Sequence, residues 1–351
     1  MAVLQLLEAL TTPHGVDRYL ELVNPMLTVR ELRAEVTDVR RATADSVTLT
    51  LRPTRQWRGF QAGQFVQVTV DIDGVRRTRC YSPACSQYRA DGKLELTVRA
   101  HTDGLVSRHL YANARPGLVV GLSQADGAFV LPERRPERIV LISGGSGITP
   151  VMSMLRTLHD EHYAGELVFL HYCDSTADVP YAEQLRELTG TASVVLATTR
   201  TSDGQLTGRF GQHHLDAAAP WYADAQTYLC GPPALMSAVR EHYDARGLSD
   251  RLHTEEFRPA PLVTTEDATG TVTFARSGTA AANSGDTLLL QAEAAGLNPE
   301  YGCRMGICFS CTQVKTSGCT RNVLTGELNN DPDVEVQLCI NAPVGDVALD
   351  I

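Results

Sequence analysis

Four of the five cysteines between residues 303 and 339 constrain that stretch of chain more than any other feature of the sequence. Residues 302–311 read GCRMGICFSC, which puts Cys303, Cys308 and Cys311 within a few residues of one another; Cys339 follows after 27 intervening residues. Three thiols that share one ligand must come from a tightly curled loop, and Gly302 and Gly306 supply the permissive backbone torsions for it. The fourth must be returned to them by the fold, from VQLCIN, which reads as an apolar, strand-like run. Thiolates in a C-x4-C-x2-C…C arrangement hold plant-type [2Fe–2S] clusters. A structural zinc is the rival, but zinc sites usually repeat a short two-cysteine knuckle at both ends, and here the distant partner is a single cysteine. Cys319 competes as a fourth ligand. Only seven residues separate it from Cys311, and it is read as a bystander.

The 351 residues are 43% apolar, enough for two or three cores. No run of about 18 apolar residues is present, so nothing is expected to span a bilayer. The opening MAVLQLLEALTTPHG lacks the basic start and small-residue cleavage site of a secretory signal. The expectation is a cytoplasmic protein, at most peripheral to a membrane through a partner. Nine cysteines is an odd number for a disulfide framework, and in a reducing compartment clustered thiols more often bind metal or do redox chemistry. The net charge of −10 argues against a nucleic-acid partner. From residue 265 onward eleven acidic residues face four basic ones, an excess that either solvates a small domain or offers an acidic docking face.

The texture changes along the chain in a way that predicts a multidomain protein. Residues 1–29 read as a helical lead-in broken by Pro13 and Pro25. Residues 30–134 hold short alternating runs such as SVTLTLRP, QFVQVTVDI and KLELTVRA, the pattern of a small antiparallel β-barrel. Residues 135–258 alternate strand and helix, which implies an α/β domain with a parallel sheet. RPAPLVTTEDATG, around 259–269, reads as a linker, and 270–351 form a last unit that carries the cysteine motif.

With these blocks in order, the chain resembles the ferredoxin–NADP⁺ reductase superfamily. Within it, the resemblance is to single-chain oxygenase and desaturase reductases with a plant-type, α+β β-grasp ferredoxin domain at the C-terminus. The resemblance covers about 30–351 and gives roles to specific positions. In RCYS, Arg79 would pair with a flavin phosphate, Tyr81 would contact the flavin and Ser82 would hydrogen-bond near N5. In VR and GLVS, Arg99 would sit beside the flavin, while Gly104, Leu105, Val106 and Ser107 would form its pyrophosphate loop, which favours FAD over FMN. In GGSGITP, Gly144, Gly145, Gly147 and Thr149 would receive the nicotinamide dinucleotide. In CGPP, Cys230 would approach the nicotinamide ring, flanked by Gly231 and Pro232. Glu255 would lie near the flavin–nicotinamide contact and Phe257 would cover the flavin face. Thr199 and Arg200 occupy the place where relatives that prefer NADPH carry Ser-Arg, so NADPH is expected ahead of NADH. Cys303, Cys308, Cys311 and Cys339 would hold the cluster.

Each motif also has an ordinary reading: a strand end for RCYS, a plain turn for GGSG, a buried cysteine for Cys230. Their order and spacing favour the functional one. The combined expectation is a reductase that takes a hydride from NADPH and releases electrons one at a time to an oxygenase or desaturase. The lead-in TPHGVDRYLELVNPML resembles that of reductases serving membrane-bound fatty-acid desaturases, which favours a desaturase as acceptor. A Rieske oxygenase or a cytochrome P450 is the alternative. The chain carries neither histidine boxes nor a haem motif, so oxygen activation is expected on the partner. A redox sensor or electron store is the rival of another class.

Overall fold

The structure is a computed structural model that describes residues 16–102, 104–257, 268–302, 306 and 309–351. Two compact units are present: the first ends at Glu255, and the second begins at Glu256 and takes in Arg77–Arg79.

Alternating apolar residues organise the start of the first unit into a six-stranded sheet. Its strands are β1 (Arg33–Thr43), β2 (Ser46–Pro53), β3 (Val66–Ile72), β4 (Val75–Tyr81), β5 (Leu94–Arg99) and β6 (Val119–Leu122), in the order β4-β3-β6-β1-β2-β5. The β1–β2, β2–β5, β1–β6 and β3–β6 pairs are all antiparallel. Val36, Val47, Leu49, Val68, Leu96 and Val120 point into one core, closed by Val106 and Leu110 of helix α2 (Leu105–Asn113). Residues 1–15 of the expected lead-in lie outside the described residues; over 16–29 the chain is helical only in α1 (Val16–Leu20). The chain is turned back there, because the buried Asp17 carboxylate accepts hydrogen bonds from the amides of Val29, Arg30 and Glu31 at 2.5–2.9 Å.

The second sheet of this unit is parallel, ordered β10-β9-β8-β7-β11-β12. Its strands are β7 (Arg138–Gly144), β8 (Glu166–Cys173), β9 (Ser193–Thr198), β10 (Leu206–Thr207), β11 (Gln226–Cys230) and β12 (Leu252–Glu255). Helices α3 (Ile148–Asp160), α4 (Ala182–Glu187), α5 (Gln212–Ala218) and α6 (Pro233–Asp244) connect them. With helices on both faces the central strands are apolar throughout, as in IVLIS and LVFLHYC, rather than alternating. Helix α3 fastens this sheet to the first. Arg156 donates to the Ala84 carbonyl at 2.6 Å and to Glu95 at 2.7 Å, and Ser153 donates to the Cys85 carbonyl at 2.7 Å.

The second unit is a mixed sheet, β14-β13-β18-β15-β16, with β17 also paired to β15. It comprises β13 (Thr271–Phe274), β14 (Thr279–Ala282), β15 (Thr312–Asn322), β16 (Leu328–Asn329), β17 (Val334–Gln337) and β18 (Asn341–Leu349). Helix α7 (Leu288–Ala294) lays Leu288, Leu289 and Ala292 on Val272, Phe274, Val347 and Leu349, the layering of a β-grasp domain. Cys339 is not in a strand: β17 stops at Gln337 and the chain turns, the Ile340 amide reaching back to the Gln337 carbonyl at 3.3 Å. Residues 258–267, most of the expected linker, lie outside the described residues.

Candidate flavin, nicotinamide and cluster sites

The carboxyl edge of the parallel sheet collects polar residues in one row. Glu255 pairs in register with Cys230, Cys230 with Ser143, and Ser143 with His171. Residues in register on neighbouring strands project to the same face, so these four side chains are neighbours. Cys230, Ser143 and His171 are fully buried. Ser82, the first residue after β4, is also buried, and its hydroxyl lies against the Glu255 carboxyl. Burial pushes that carboxyl up to about 8, and the nearby Ser82 hydroxyl offsets only part of the rise. Part of the Glu255 residue reaches the surface, yet its Oε2 is sealed from solvent. Neither Oε2 nor Ser82 Oγ has a well-formed hydrogen bond.

In the glycine turn beside this row, Gly144 and Gly147 leave no room for a side chain. A Cβ at Gly147 would sit 2.3 Å from the Cys230 carbonyl oxygen, and one at Gly144 would meet Pro232 and Leu235 at 2.8 Å. The GGSG and CGPP segments, far apart in sequence, therefore pack backbone on backbone. Gly145 adopts φ +52°, a left-handed conformation that suits glycine, and Arg99 lies within reach of it. A 3-10 turn over Gly145–Gly147 leads into α3, the Ile148 amide donating to the Gly145 carbonyl, and Thr149 is buried there with its hydroxyl on the Ser146 carbonyl at 3.3 Å.

On the first sheet, Arg79 and Tyr81 lie on β4, with Tyr81 packed on the barrel core and Arg79 donating to the Thr78 carbonyl at 2.7 Å. Arg99 ends β5 and is paired with Asp45 at 2.6 Å. Gly104 is the N-cap of α2, followed by exposed Leu105, buried Val106 and buried Ser107, whose hydroxyl turns back to the Gly104 carbonyl at 3.1 Å. A Cβ at Gly104 would meet that hydroxyl at 2.3 Å. Phe257 lies two residues past β12 and is half-buried. Thr199 and Arg200 follow β9 and are exposed; both contact Asp174, at the end of β8.

In the second unit, Cys303 and Cys308 lie outside the described residues. Cys311 and Cys339 are buried in the same core, and the Leu338 amide donates to the Cys311 carbonyl at 3.1 Å. Gln337 donates to the Gly306 carbonyl at 2.7 Å, and a Cβ at Gly306 would strike Ile340. The turn bearing Cys339 therefore packs directly on Gly306. Cys319 lies farther along β15, in register with Val344.

Comparison with known proteins agrees with this arrangement block by block. The sequence matches the families described as Oxidoreductase FAD-binding domain over 33–130, Oxidoreductase NAD-binding domain over 141–241 and 2Fe-2S iron-sulfur cluster binding domain over 272–343. It is 39% identical over 350 residues to an NADPH oxidoreductase of Mycobacterium tuberculosis, covering 97% of this chain and 90% of that one. The chain belongs to the ferredoxin–NADP⁺ reductase superfamily, among its flavin/[2Fe–2S] reductases. A glycine betaine monooxygenase reductase subunit of Pseudomonas aeruginosa is 28% identical over 319 residues, covering 83% and 87% of the two chains. Phthalate dioxygenase reductase shares the fold, with a TM-score of 0.63 and 23% identity over 92% of this chain and 98% of that structure.

As a member of this superfamily the protein is an oxidoreductase that uses FAD, NAD(P)H and a [2Fe–2S] cluster. The residues in place fit those groups. Two sealed oxygens, on Ser82 and Glu255, await a polar partner beside Cys230, Gly144 and Gly147 bring the glycine turn backbone-close to the CGPP segment, and the thiols of Cys311 and Cys339 are buried in one core. Sequence reasoning passed over Ser143, His171 and Asp174. Ser143 adjoins the glycine motif and could have been noticed; His171 and Asp174 carry no local signal, since only strand pairing brings them to this edge.

Proposed function

We propose that this reductase draws on NADPH and delivers single electrons to the terminal component of an oxygenase. The observation that carries the acceptor is the match, along most of both chains, to the reductase subunit of a monooxygenase. The desaturase favoured by the lead-in has no comparable support, and no described helix is long and apolar enough to cross a membrane. The name of the mycobacterial relative supports NADPH.

When bound, the flavin takes up a hydride and the cluster passes electrons on singly. The chain's own residues set the conditions for this. Gly144, Gly145, Gly147 and Thr149 receive the dinucleotide phosphates, and Cys230, Gly231 and Pro232 wall the nicotinamide pocket. Arg79, Arg99 and the Gly104–Ser107 turn hold the flavin phosphates, with Tyr81 against the ring and Phe257 as its cover. Ser82 Oγ orients at the reacting edge. Glu255, neutral at physiological pH, holds a proton at Oε2 within reach of Ser82. Cys303, Cys308, Cys311 and Cys339 ligate the cluster.

Reconstitution with purified acceptors tests this reading. NADPH oxidation should couple to product formation with a soluble oxygenase component of the glycine betaine type, and should not do so with a desaturase in lipid nanodiscs. Coupling to the desaturase alone would reverse the assignment. Cys311→Ser should abolish cytochrome c reduction while NADPH still bleaches the flavin. Surviving cytochrome c reduction would remove Cys311 from the ligand set.

A further inference from the structure

Thr199 and Arg200, at the place tied to a preference for NADPH and so read as receiving its adenosine ribose, are already held by a third residue. Asp174 is the first residue after β8; Thr199 and Arg200 follow β9, its neighbour in the sheet. Thr199 Oγ1 donates to Asp174 Oδ1 at 3.0 Å, and Arg200 Nε lies 3.4 Å from Asp174 Oδ2. The backbones are joined as well, with the Arg200 and Thr201 amides donating to the Asp174 carbonyl at 3.1 and 3.3 Å. One carboxylate thus engages both of the groups that a 2′-phosphate would need.

The two nicotinamide cofactors meet that carboxylate differently. The ribose 2′-hydroxyl of NADH can donate a hydrogen bond to it, the use that dinucleotide sites commonly make of an acidic residue at a strand end. A 2′-phosphate carries a charge of about −2, has no proton to offer, and is repelled. The side chain of Arg200 is 79% exposed and that of Asp174 is 46% exposed, so their ion pair is wet and weak. Arg200 can leave it for a phosphate, but the negative charge on Asp174 stays behind. Asp203 adds a second carboxylate close by. Its oxygens are taken by the Thr176 amide and hydroxyl and by the Thr201 hydroxyl, which hold it well below the usual carboxylate range.

We infer that Asp174 sets the preference between NADPH and NADH: it fixes Thr199 and Arg200 in place, and its charge offsets their attraction for a 2′-phosphate. The inference rests on the reading that Thr199 and Arg200 receive the adenosine ribose, and it makes the NADPH preference weaker than those two residues alone would give.

The test uses the FAD-loaded reductase and Asp174→Asn, which keeps an acceptor for Thr199 and removes the charge. Steady-state kcat/KM for ferricyanide reduction is measured with both cofactors, and binding of 2′,5′-ADP and 5′-AMP by calorimetry. The NADPH-to-NADH ratio should rise roughly tenfold, the scale of one removed charge at a solvated contact. Binding of 2′,5′-ADP should tighten while that of 5′-AMP does not, and Asp174→Glu should stay near the parent. An unchanged ratio in Asp174→Asn, with Arg200→Ala still lowering NADPH relative to NADH, overturns the role of Asp174 and leaves the ribose assignment standing. If neither variant moves the ratio or the 2′,5′-ADP affinity, the ribose binds elsewhere and both readings fall.

Discussion

The two ends of one sheet edge solve opposite problems. At β11 and β12 the edge is dry: Cys230 is fully buried, Glu255 Oε2 is sealed with its carboxyl raised to about 8, and Gly144 and Gly147 leave no room for a methyl group. At β8 and β9 the edge is wet, with Thr199 and Arg200 exposed and Asp174 partly so. The same kinds of polar groups are therefore worth different amounts. A polar atom buried without a partner costs free energy, and it persists where a bound group completes it. An exposed charge pair is screened and can be exchanged for a ligand at little cost. The dry end suits chemistry, which needs fixed geometry, and the wet end suits discrimination between two cofactors that differ by one phosphate.

The largest effect should come from the dry end. Glu255→Gln removes the ionisable proton while keeping the shape, and hydride transfer measured by stopped flow should slow by about 10²–10⁴-fold, the usual worth of a positioned acid or base. The same variant tests the raised pKa through stability. Below about pH 4.5, Glu255 is protonated in both the folded and unfolded chain. As the pH rises toward 8 the unfolded chain ionises and the folded one does not, so this residue's contribution to stability is progressively lost. Thermal midpoints of wild type and Glu255→Gln should nearly coincide at the acid end and separate by pH 8, with the variant the more stable. Parallel pH profiles would mean that Glu255 ionises normally and that the edge is wetter than described.

A smaller effect, at the same end, tests the close packing. Gly147→Ala pushes a methyl group onto the Cys230 carbonyl and should cost about 1–3 kcal/mol of stability, as overpacking does. Affinity for NADPH should fall with it, because the turn and the CGPP segment must part. Unchanged affinity at reduced stability would separate the glycine packing from nucleotide binding.

How much of this was legible in the sequence follows the same division. Apolar periodicity and glycine placement announced the strands of both sheets, since those signals reside in consecutive residues. The GGSG and CGPP motifs were readable for the same reason, and the fold adds that they touch. Cys339 was taken for a strand residue because VQLCIN is apolar, whereas the chain turns there to pack against Gly306. Over 16–29, the described part of the lead-in, the helix stops at Leu20, because nothing in its periodicity reveals that Asp17 captures three amides more than ten residues away. His171 and Asp174 were missed for one physical reason: their neighbours are supplied by parallel strand pairing, which joins residues some 25–30 apart in sequence.

The smallest expected effect lies at the wet end and separates it from the dry one without any change of fold. On the proposed reading, Arg200 attracts a 2′-phosphate across solvent, so added salt should weaken NADPH binding, the Debye length falling from about 10 Å at 0.1 M to about 3 Å at 1 M. KM for NADPH should rise with salt, while the hydride-transfer rate at saturating NADPH stays flat because the Glu255 contact is sealed from ions. Arg200→Ala should raise KM for NADPH at low salt and make it less sensitive to salt, with a much smaller change for NADH. A salt-dependent rate at saturation would show that ions reach the dry edge, and the contrast between the two ends would then be lost. Equal salt sensitivity in wild type and Arg200→Ala would remove Arg200 from phosphate recognition and leave the dry edge as it stands.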